Sequence, residues 1–197
     1  MDTTRRGRAK PLAPEERREA IIAATRPLLY EHGRATTTKL IAEAAGIAEG
    51  TVFRAFATKE ELFDAVMEAE FDPSPFLDDI ARIDPTLELR DRLVAYTTLL
   101  QRRFIGIFTL MAAMGLRKPP AALGDPEVRR RLADGGLATL LSGDADRFTV
   151  PVDRVVHIVR LLTFSGSHPH ISDQQPLSPE EIVDVILHGV LTEEDRS

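Results

Sequence analysis

Residues 36–62, TTTKLIAEAAGIAEGTVFRAFATKEEL, contain the pattern that decides the fold of this chain. A short helix is predicted over Thr38–Ala45, and it runs into a tight turn at Gly46-Ile47. A second short helix is predicted over Glu49–Phe56, and Thr58 has a side chain suited to capping the start of a third. Two short helices joined by a glycine-containing turn predict a helix-turn-helix, whose second helix is narrow enough to enter the major groove of DNA.

This stretch resembles the DNA-binding motif of the TetR family of bacterial repressors. The family pattern reads roughly T-x-x-x-I-A-x-x-A-G-[VI]-[SA]-x-G-[ST]-[LIV]-[YF]-x-x-F-x-[ST]-K-x-x-L. The resemblance implies an all-α protein, with a three-helix DNA-binding domain over residues 1–57 and a helical effector-binding and dimerisation domain over residues 58–197. The chain matches the pattern at Thr37, Ile41, Ala42, Ala45, Gly46, Ile47, Gly50, Thr51, Val52, Phe53, Phe56, Thr58, Lys59 and Leu62.

Charge is distributed unevenly along the chain, and the distribution favours DNA binding despite the net charge of −6. Residues 1–59 carry 11 Lys and Arg against 7 Asp and Glu, whereas residues 60–197 carry 14 against 24. A basic front end on an acidic body is expected when one end meets phosphate. Residues 1–13 are interpreted either as a disordered tail or as an arm that follows phosphates or the minor groove. The basic residues of this segment are Arg5, Arg6, Arg8 and Lys10.

The remaining sequence predicts further helices and no sustained strand alternation. Helix 1 is predicted to begin at Pro14 and to end at Gly33, and the helix that starts at Thr58 links the DNA-binding unit to the body. The body helices are predicted over Pro75–Ile83 as a short turn, Thr86–Phe104 and Ile105–Arg117 as one long helix or two abutting ones, Pro126–Leu141, Pro151–Gly166 and Pro179–Leu191.

The resemblance also implies which residues meet DNA. Glu49, Thr51 and Arg54 would contact base edges or nearby phosphates, because an Arg can grip guanine and a Thr methyl can touch thymine. Threonine hydroxyls, the Lys59 ammonium and amides at a helix start would contact phosphates, and the threonines at 37 and 58 would also serve as helix caps. The full predicted set is Thr36, Thr37, Thr38, Ala48, Glu49, Gly50, Thr51, Phe53, Arg54 and Lys59.

Three positions depart from the common form of the family. Ala48 replaces a frequent Ser, Phe53 a frequent Tyr, and Ala55 a frequent His or Tyr, so three polar contacts to DNA are missing. Glu49 places an acid in a groove lined by phosphates, which is tolerable mainly if the carboxylate accepts from a cytosine amino group. We therefore expect weaker non-specific affinity than is usual in the family, with the basic arm compensating.

An apolar stripe along the predicted helix over residues 86–117 is first interpreted as core packing. TetR-like proteins enclose an apolar effector cavity with their central helices, and methionine adapts to varied ligand shapes. The resemblance therefore implies ligand-binding residues on this stripe, with Gln101, Arg102, Arg103 and His157 as candidate polar contacts. The predicted ligand-binding residues are Tyr96, Leu100, Phe104, Phe108, Met111 and Met114.

The last two predicted helices carry apolar residues on two faces, so one face can pack on the body while the other needs a partner. A two-fold homodimer is expected, because it matches the symmetry of a palindromic operator. The sequence does not show which face of each helix forms the dimer. The interface residues chosen are Val152, Val156, Val159, Thr163, Val183, Leu187 and Val190.

Other classes of function find little support in the sequence. No 18-residue apolar run predicts a membrane span, and the lack of cysteine excludes thiol metal sites and fits a reducing cytoplasm. His168 and His170, with Asp173 nearby, form a weak metal pattern because Pro169 and a loop setting separate them. No phosphate-binding loop, nucleophile elbow or zinc-protease motif is present, so neither a cofactor nor an enzyme is predicted.

We interpret the chain as a TetR-like regulator of transcription, and most simply as a repressor that a small, mostly hydrophobic ligand releases from double-stranded DNA. Its predicted partners are a palindromic operator, an effector and a second copy of itself, with no membrane. The alternatives are a regulator controlled by a protein partner, a nucleoid-type binder without sequence preference and a helical enzyme. The sequence does not give the operator, the regulated genes, the effector or the sign of regulation.

Overall fold

The computed structural model describes residues 13–118 and 126–190, without the side chains of residues 126, 128–133 and 190. This part of the chain contains nine α-helices and no β-strand, which confirms the predicted all-α fold. The predicted basic arm, with Arg5, Arg6, Arg8 and Lys10, lies outside the described residues. The helices are α1 (Pro14–His32), α2 (Thr38–Ala45), α3 (Glu49–Ala55), α4 (Lys59–Phe71), α5 (Ser74–Ala81), α6 (Leu89–Ala113), α7 (Pro126–Leu140), α8 (Val152–Ser167) and α9 (Pro179–Val190).

The chain divides into two compact units. The first, called the DNA-binding unit after its predicted role, extends to Ala69 and includes Ala113–Gly115; the second, called the sensor unit after its predicted role, comprises Glu70–Ala112 and the residues from Leu116 onward. The division within the N-terminal part therefore falls inside α4, twelve residues beyond the predicted boundary between 57 and 58. The division into compact units does not show which part of the chain folds independently, so the predicted domain boundary between residues 57 and 58 stays a prediction.

The helices of the DNA-binding unit begin and end where local chemistry requires it. Thr37 caps α2 by accepting a hydrogen bond from the Leu40 amide at 3.2 Å. Gly46 ends α2 in the left-handed conformation, with φ +66°. Helix α3 begins at Glu49, and the preceding residue, Ala48, provides no side-chain cap. The buried core that these helices share is Ile21, Leu29, Ile41, Val52, Phe56, Leu62, Phe63 and Val66.

Gly33 ends α1 at a point of close backbone approach within the same unit. Its φ is +53°, and a Cβ placed on it would overlap the Ala113 carbonyl oxygen and lie 3.0 Å from the carbonyl carbon. The next residue, Arg34, donates from Nε to the Met114 carbonyl oxygen at 3.1 Å. Glycine is therefore required here for both conformation and space.

Helix α6 resolves the choice between one long helix and two abutting ones. It is a single helix over Leu89–Ala113, and it ends before the predicted Arg117 because Gly115 adopts φ +67°. The predicted turn of helix before it is present as α5. Helix α9 begins with a capping box in which Ser178 and Glu181 exchange hydrogen bonds of 2.8 and 3.1 Å.

The sensor unit packs α5 on α7, α7 on α8 and α8 on α9 around one apolar core. A buried ion pair lies beside this core, where Arg92 Nη2 donates to Asp144 Oδ2 at 2.7 Å. The same guanidinium donates to the carbonyl oxygens of Leu87 and Leu140, at 2.9 and 2.7 Å. The charge is thus paired and hydrogen-bonded, as a buried charge requires.

Candidate nucleic-acid interface

Helix α3 separates a buried face from an exposed one, as a recognition helix must. Val52 and Phe56 are almost fully buried and anchor the helix to the DNA-binding unit. Thr51 is half-buried, and Phe53 is 50% exposed, which settles its orientation toward solvent. The exposed members of the predicted DNA-binding set on this segment are Ala48, Glu49, Gly50, Phe53 and Arg54.

Arg18 of α1 holds the end of α3, a role that the sequence did not indicate. Its guanidinium donates to the Ala55 carbonyl oxygen and lies 4.0 Å from the centroid of the Phe56 ring. It also pairs with Glu61 at 3.3 Å, and the second Glu61 oxygen accepts from the Ala57 amide at 2.7 Å. These partners lie 37 to 43 residues from Arg18, a separation that local patterns cannot bridge.

The three consecutive threonines have three different environments. Thr36 is fully buried, and its hydroxyl donates to the Leu28 carbonyl oxygen at 3.0 Å, so the prediction that it contacts phosphate is wrong for this conformation. Thr37 is exposed at the start of α2, where its hydroxyl caps the helix. Thr38 is half-buried and donates its hydroxyl hydrogen to Glu49 Oε1, which joins α2 to the start of α3.

Lys59 also has protein partners at the edge of this surface. Its ammonium donates to the carbonyl oxygens of Arg34 and Thr36, at 3.2 and 3.5 Å, and lies 5.3 Å from the centroid of the Phe63 ring. An ammonium has three donors, so one can still reach a phosphate. Contact between Lys59 and phosphate therefore stays a prediction.

The sequence of this unit matches a known family. Residues 21–66 fit the family model of the bacterial regulatory proteins of the tetR family. Residues 21–66 therefore form a DNA-binding domain of the tetR family. The chain is a DNA-binding transcriptional regulator whose helix-turn-helix consists of α2 and α3, which confirms the resemblance seen in residues 36–62.

Solved structures of other regulators share the fold over nearly the whole chain. A TetR transcriptional regulator from Streptomyces coelicolor is 23% identical, with 89% of this chain and 99% of that chain covered and a TM-score of 0.57. A transcriptional regulator from Rhodococcus sp. Rha1 is 21% identical over 91% and 98%, with a TM-score of 0.57. A gamma-butyrolactone receptor, an ArpA-like protein, is 22% identical over 93% of each chain, with a TM-score of 0.58.

The six predicted ligand-binding residues do not share one environment. Tyr96 and Leu100 lie in the core of the sensor unit, where burial raises the pKa of the Tyr96 phenol. Phe104 and Phe108 form an aromatic cluster with Phe164 and His168, with ring centroids 4.6 to 5.9 Å apart. The last two residues of the set are Met111, which is half-buried, and Met114, which is buried.

Two cavities of the sensor unit lie elsewhere, and their linings contain none of those six residues. A cavity of about 520 Å³ between α5 and α7 is lined mainly by aliphatic side chains. A second, of about 430 Å³ between α7 and α8, has a charged lining that includes Asp134, Asp153, Arg154 and His157. The sequence could not indicate either cavity, because the space in each depends on how separate helices pack against one another.

The chain itself covers most of the predicted dimer interface. Five of the chosen residues are buried in the core of the single chain: Val156, Val159, Thr163, Val183 and Leu187. Val152 is half-buried against this core, and the Val190 side chain is not among those described. The outward faces instead carry Leu161 and Phe164 on α8, which are 45% and 38% exposed, and Val185 on α9, which is 62% exposed.

The structure also describes the weak metal pattern. His168 Nδ1 accepts from the His170 amide at 3.3 Å, and the His168 ring packs against Phe108. Within residues 13–118 and 126–190, no group of three or more His, Asp or Glu residues is arranged to hold a metal ion. None of the helices described over these ranges is long and apolar enough to cross a membrane.

Proposed function

We propose that this regulator is a repressor that binds a palindromic operator as a homodimer and releases it when a small, mostly hydrophobic molecule binds the sensor unit. The observation that carries the ligand-responsive part is the cavity between α5 and α7. Its volume of about 520 Å³ lies within the range of roughly 300–1,000 Å³ typical of small-molecule sites.

The chemistry of this cavity favours an apolar ligand with few polar groups. Its aliphatic lining consists of Leu77, Ile80, Ala81, Ile83, Pro85 and Leu140. The polar side chains on the lining already have partners within the protein, since Arg92 pairs with Asp144, Thr139 donates to the Gly135 carbonyl and Ser142 donates to the Thr139 carbonyl. A ligand therefore gains mainly from burial of apolar surface, with the threonine and serine hydroxyl oxygens as available acceptors.

The similar gamma-butyrolactone receptor supports a small-molecule sensor as one use of this fold. At 22% identity, that similarity does not carry the ligand over to this chain. The identity of the effector therefore has to come from ligand screening rather than from comparison.

The proposed dimer uses the outward faces of α8 and α9. Leu161 and Phe164 are three residues apart and lie on one face of α8, and Val185 is the most exposed large apolar residue described in the chain. Large apolar side chains that stay exposed on two neighbouring helices favour burial against a second copy. A monomer in sedimentation at micromolar concentration would contradict this assembly.

The proposed signal passes along α4, because the division between the two units falls inside this helix. A ligand that displaces the Phe63–Phe71 end would swing the DNA-binding units and change their spacing. Two recognition helices must lie about 34–36 Å apart to enter successive major grooves, so a small rotation suffices. The ligand must bind the misfit state more tightly than the DNA-ready state, because otherwise the equilibrium does not shift.

The test compares two tryptophan substitutions in an operator-release assay. An operator is first selected from random DNA, and an apolar small-molecule library is then screened for compounds that raise the melting temperature and release the operator. Ala81→Trp fills the α5–α7 cavity, and Met111→Trp narrows the site first predicted on α6. If the ligand no longer releases the operator from Ala81→Trp but still releases it from Met111→Trp, and both variants keep their operator affinity, the α5–α7 cavity is supported as the ligand site.

The reverse result, with loss of release in Met111→Trp alone, would return the ligand site to the α6 face. Normal release in both variants would place the ligand elsewhere. A selection that yields an operator, together with a library that yields no ligand, would favour control by a protein partner.

A further inference from the structure

Helices α2 and α3 pack together, and one side-chain contact at their exposed edge involves the first residue of each helix. The Thr38 hydroxyl donates to Oε1 of the Glu49 carboxylate. Among residues 13–118 and 126–190, this is the hydrogen bond that the Glu49 side chain makes. Glu49 is an exposed residue, so the carboxylate that Thr38 holds lies at the surface of the recognition helix and keeps acceptor capacity on its second oxygen, Oε2.

A fixed carboxylate on this surface selects among the chemical groups of DNA. Phosphate oxygens repel it, so it can only favour binding by meeting a hydrogen-bond donor. In the major groove, guanine presents two acceptors, thymine an acceptor and a methyl group, and adenine an acceptor beside its amino group. Cytosine presents only an amino group there, which donates a hydrogen bond. A carboxylate can therefore accept from cytosine without meeting a repulsive acceptor atom on the same base.

We propose that Thr38 and Glu49 act as one specificity determinant, in which the Thr38 hydroxyl fixes the Glu49 carboxylate so that its second oxygen accepts from the N4 amino group of a cytosine in each operator half-site. Thr38 is the positioning residue and Glu49 the residue that contacts the base. This assignment rests on the proposed sequence-specific operator. It also gives Thr38 a role other than the phosphate contact predicted from the sequence.

The pairing has a second consequence for the exposed carboxylate. A free glutamate side chain loses rotamer freedom when it binds a base, and this loss opposes binding. The hydrogen bond from Thr38 restricts the side chain before DNA arrives, so part of that loss occurs on folding instead. Removal of the Thr38 hydroxyl should therefore weaken discrimination between bases without abolishing it, whereas removal of the carboxylate should abolish it.

The experiment uses the full chain and an operator selected from random DNA. Each cytosine of a half-site is replaced in turn by thymine or by 2-pyrimidinone, which keeps the ring but lacks the 4-amino group. At one position, 2-pyrimidinone should weaken binding of the wild-type protein at least about fivefold. Thymine there should weaken it further, because its O4 acceptor faces the carboxylate.

The protein variants separate positioning from folding. Glu49→Ala should bind cytosine and 2-pyrimidinone equally at that position. Thr38→Val, which keeps the shape of the side chain, should reduce the discrimination at least about twofold, and Thr38→Ser should restore it. Glu43→Gln is the matched control, because it removes an exposed carboxylate from α2 and should change affinity for all sequences alike. Melting temperatures of all variants check that the DNA-binding unit stays folded.

The possible outcomes distinguish this inference from the proposed function. A clear operator at which Glu49→Ala keeps the full preference for cytosine overturns the inference and leaves the repressor assignment standing. If Thr38→Val discriminates between cytosine and 2-pyrimidinone as well as the wild-type protein does, while Glu49→Ala has lost this discrimination, the positioning role of Thr38 is overturned. A selection without any consensus overturns both the operator and the pair.

Discussion

Replacement of Gly33 by alanine tests whether the close backbone approach within the DNA-binding unit exists in solution. Gly33 has φ +53° and ψ −135°, which an alanine adopts at a cost of about 1–3 kcal/mol. The new methyl group would overlap the Ala113 carbonyl oxygen, and relief of such an overlap costs about 1–3 kcal/mol more. The lower entropy of the unfolded alanine variant offsets about 0.4–1 kcal/mol. The expected destabilisation is therefore about 1–6 kcal/mol.

Two other glycines of the same unit provide matched controls. Gly46 has φ +66°, but a Cβ there meets no atom within 4 Å, so Gly46→Ala should cost only about 1 kcal/mol. Gly50 lies inside α3 with ordinary backbone angles and open space, so Gly50→Ala should stabilise the protein by up to about 1 kcal/mol. The three substitutions thus add the same methyl group to three different environments.

The assay is urea unfolding followed by circular dichroism, with hydrogen exchange of amides in α1–α3 to assign the loss to the DNA-binding unit. The unfolding free energy should be highest for Gly50→Ala, lower for the wild-type protein, lower again for Gly46→Ala and lowest for Gly33→Ala. If Gly33→Ala were no less stable than Gly46→Ala, the Ala113 carbonyl would not lie against Gly33 in solution, and the reasoning would be refuted.

Three further predictions concern DNA, assembly and the sensor core. If Lys59 contacts a phosphate, Lys59→Ala should weaken binding to all DNA sequences and lower the slope of log affinity against log salt concentration by about one unit. Arg54→Ala should instead change which bases are preferred and reduce the free energy of operator binding by about 1–3 kcal/mol. Equal losses of affinity for operator and random DNA would contradict a base contact by Arg54. Leu161→Glu should convert the proposed dimer to monomer in sedimentation, while Ile171→Glu, at a more exposed apolar site outside α8 and α9, should not. Asp144→Asn leaves a buried guanidinium without its charged partner and should lower the unfolding free energy by about 3–5 kcal/mol in urea titration; a loss under about 1 kcal/mol would show that the pair is solvated.

Features set by residues a few positions apart were predictable from the sequence. The cap at Thr37, the left-handed turn at Gly46 and the exchange between Ser178 and Glu181 each involve partners within four residues. The buried positions Val52 and Phe56 followed from the helical period of the same short segment. For this reason residues 36–62 alone were enough to predict the helix-turn-helix, and the resemblance of this stretch to a known family implied the all-α class.

Features that combine distant segments could not be predicted in the same way. Thr36 begins a run of three threonines, and only its packing beside Leu28 shows that its hydroxyl is satisfied inside the protein. Both faces of α8 carry valine or leucine, so the sequence could not show that Val156 and Val159 face the chain's own core while Leu161 faces solvent.

The sequence by itself determined that this chain forms a helix-turn-helix on an all-helical body, because capping, turn and helical-period signals depend on neighbouring residues. The tertiary structure decided that Thr38 holds the Glu49 carboxylate, where the sensor unit has space for a ligand, and which apolar residues remain for a partner. Each of those depends on the surface that one helix presents to another, and that surface is fixed only when side chains from separate parts of the chain pack together.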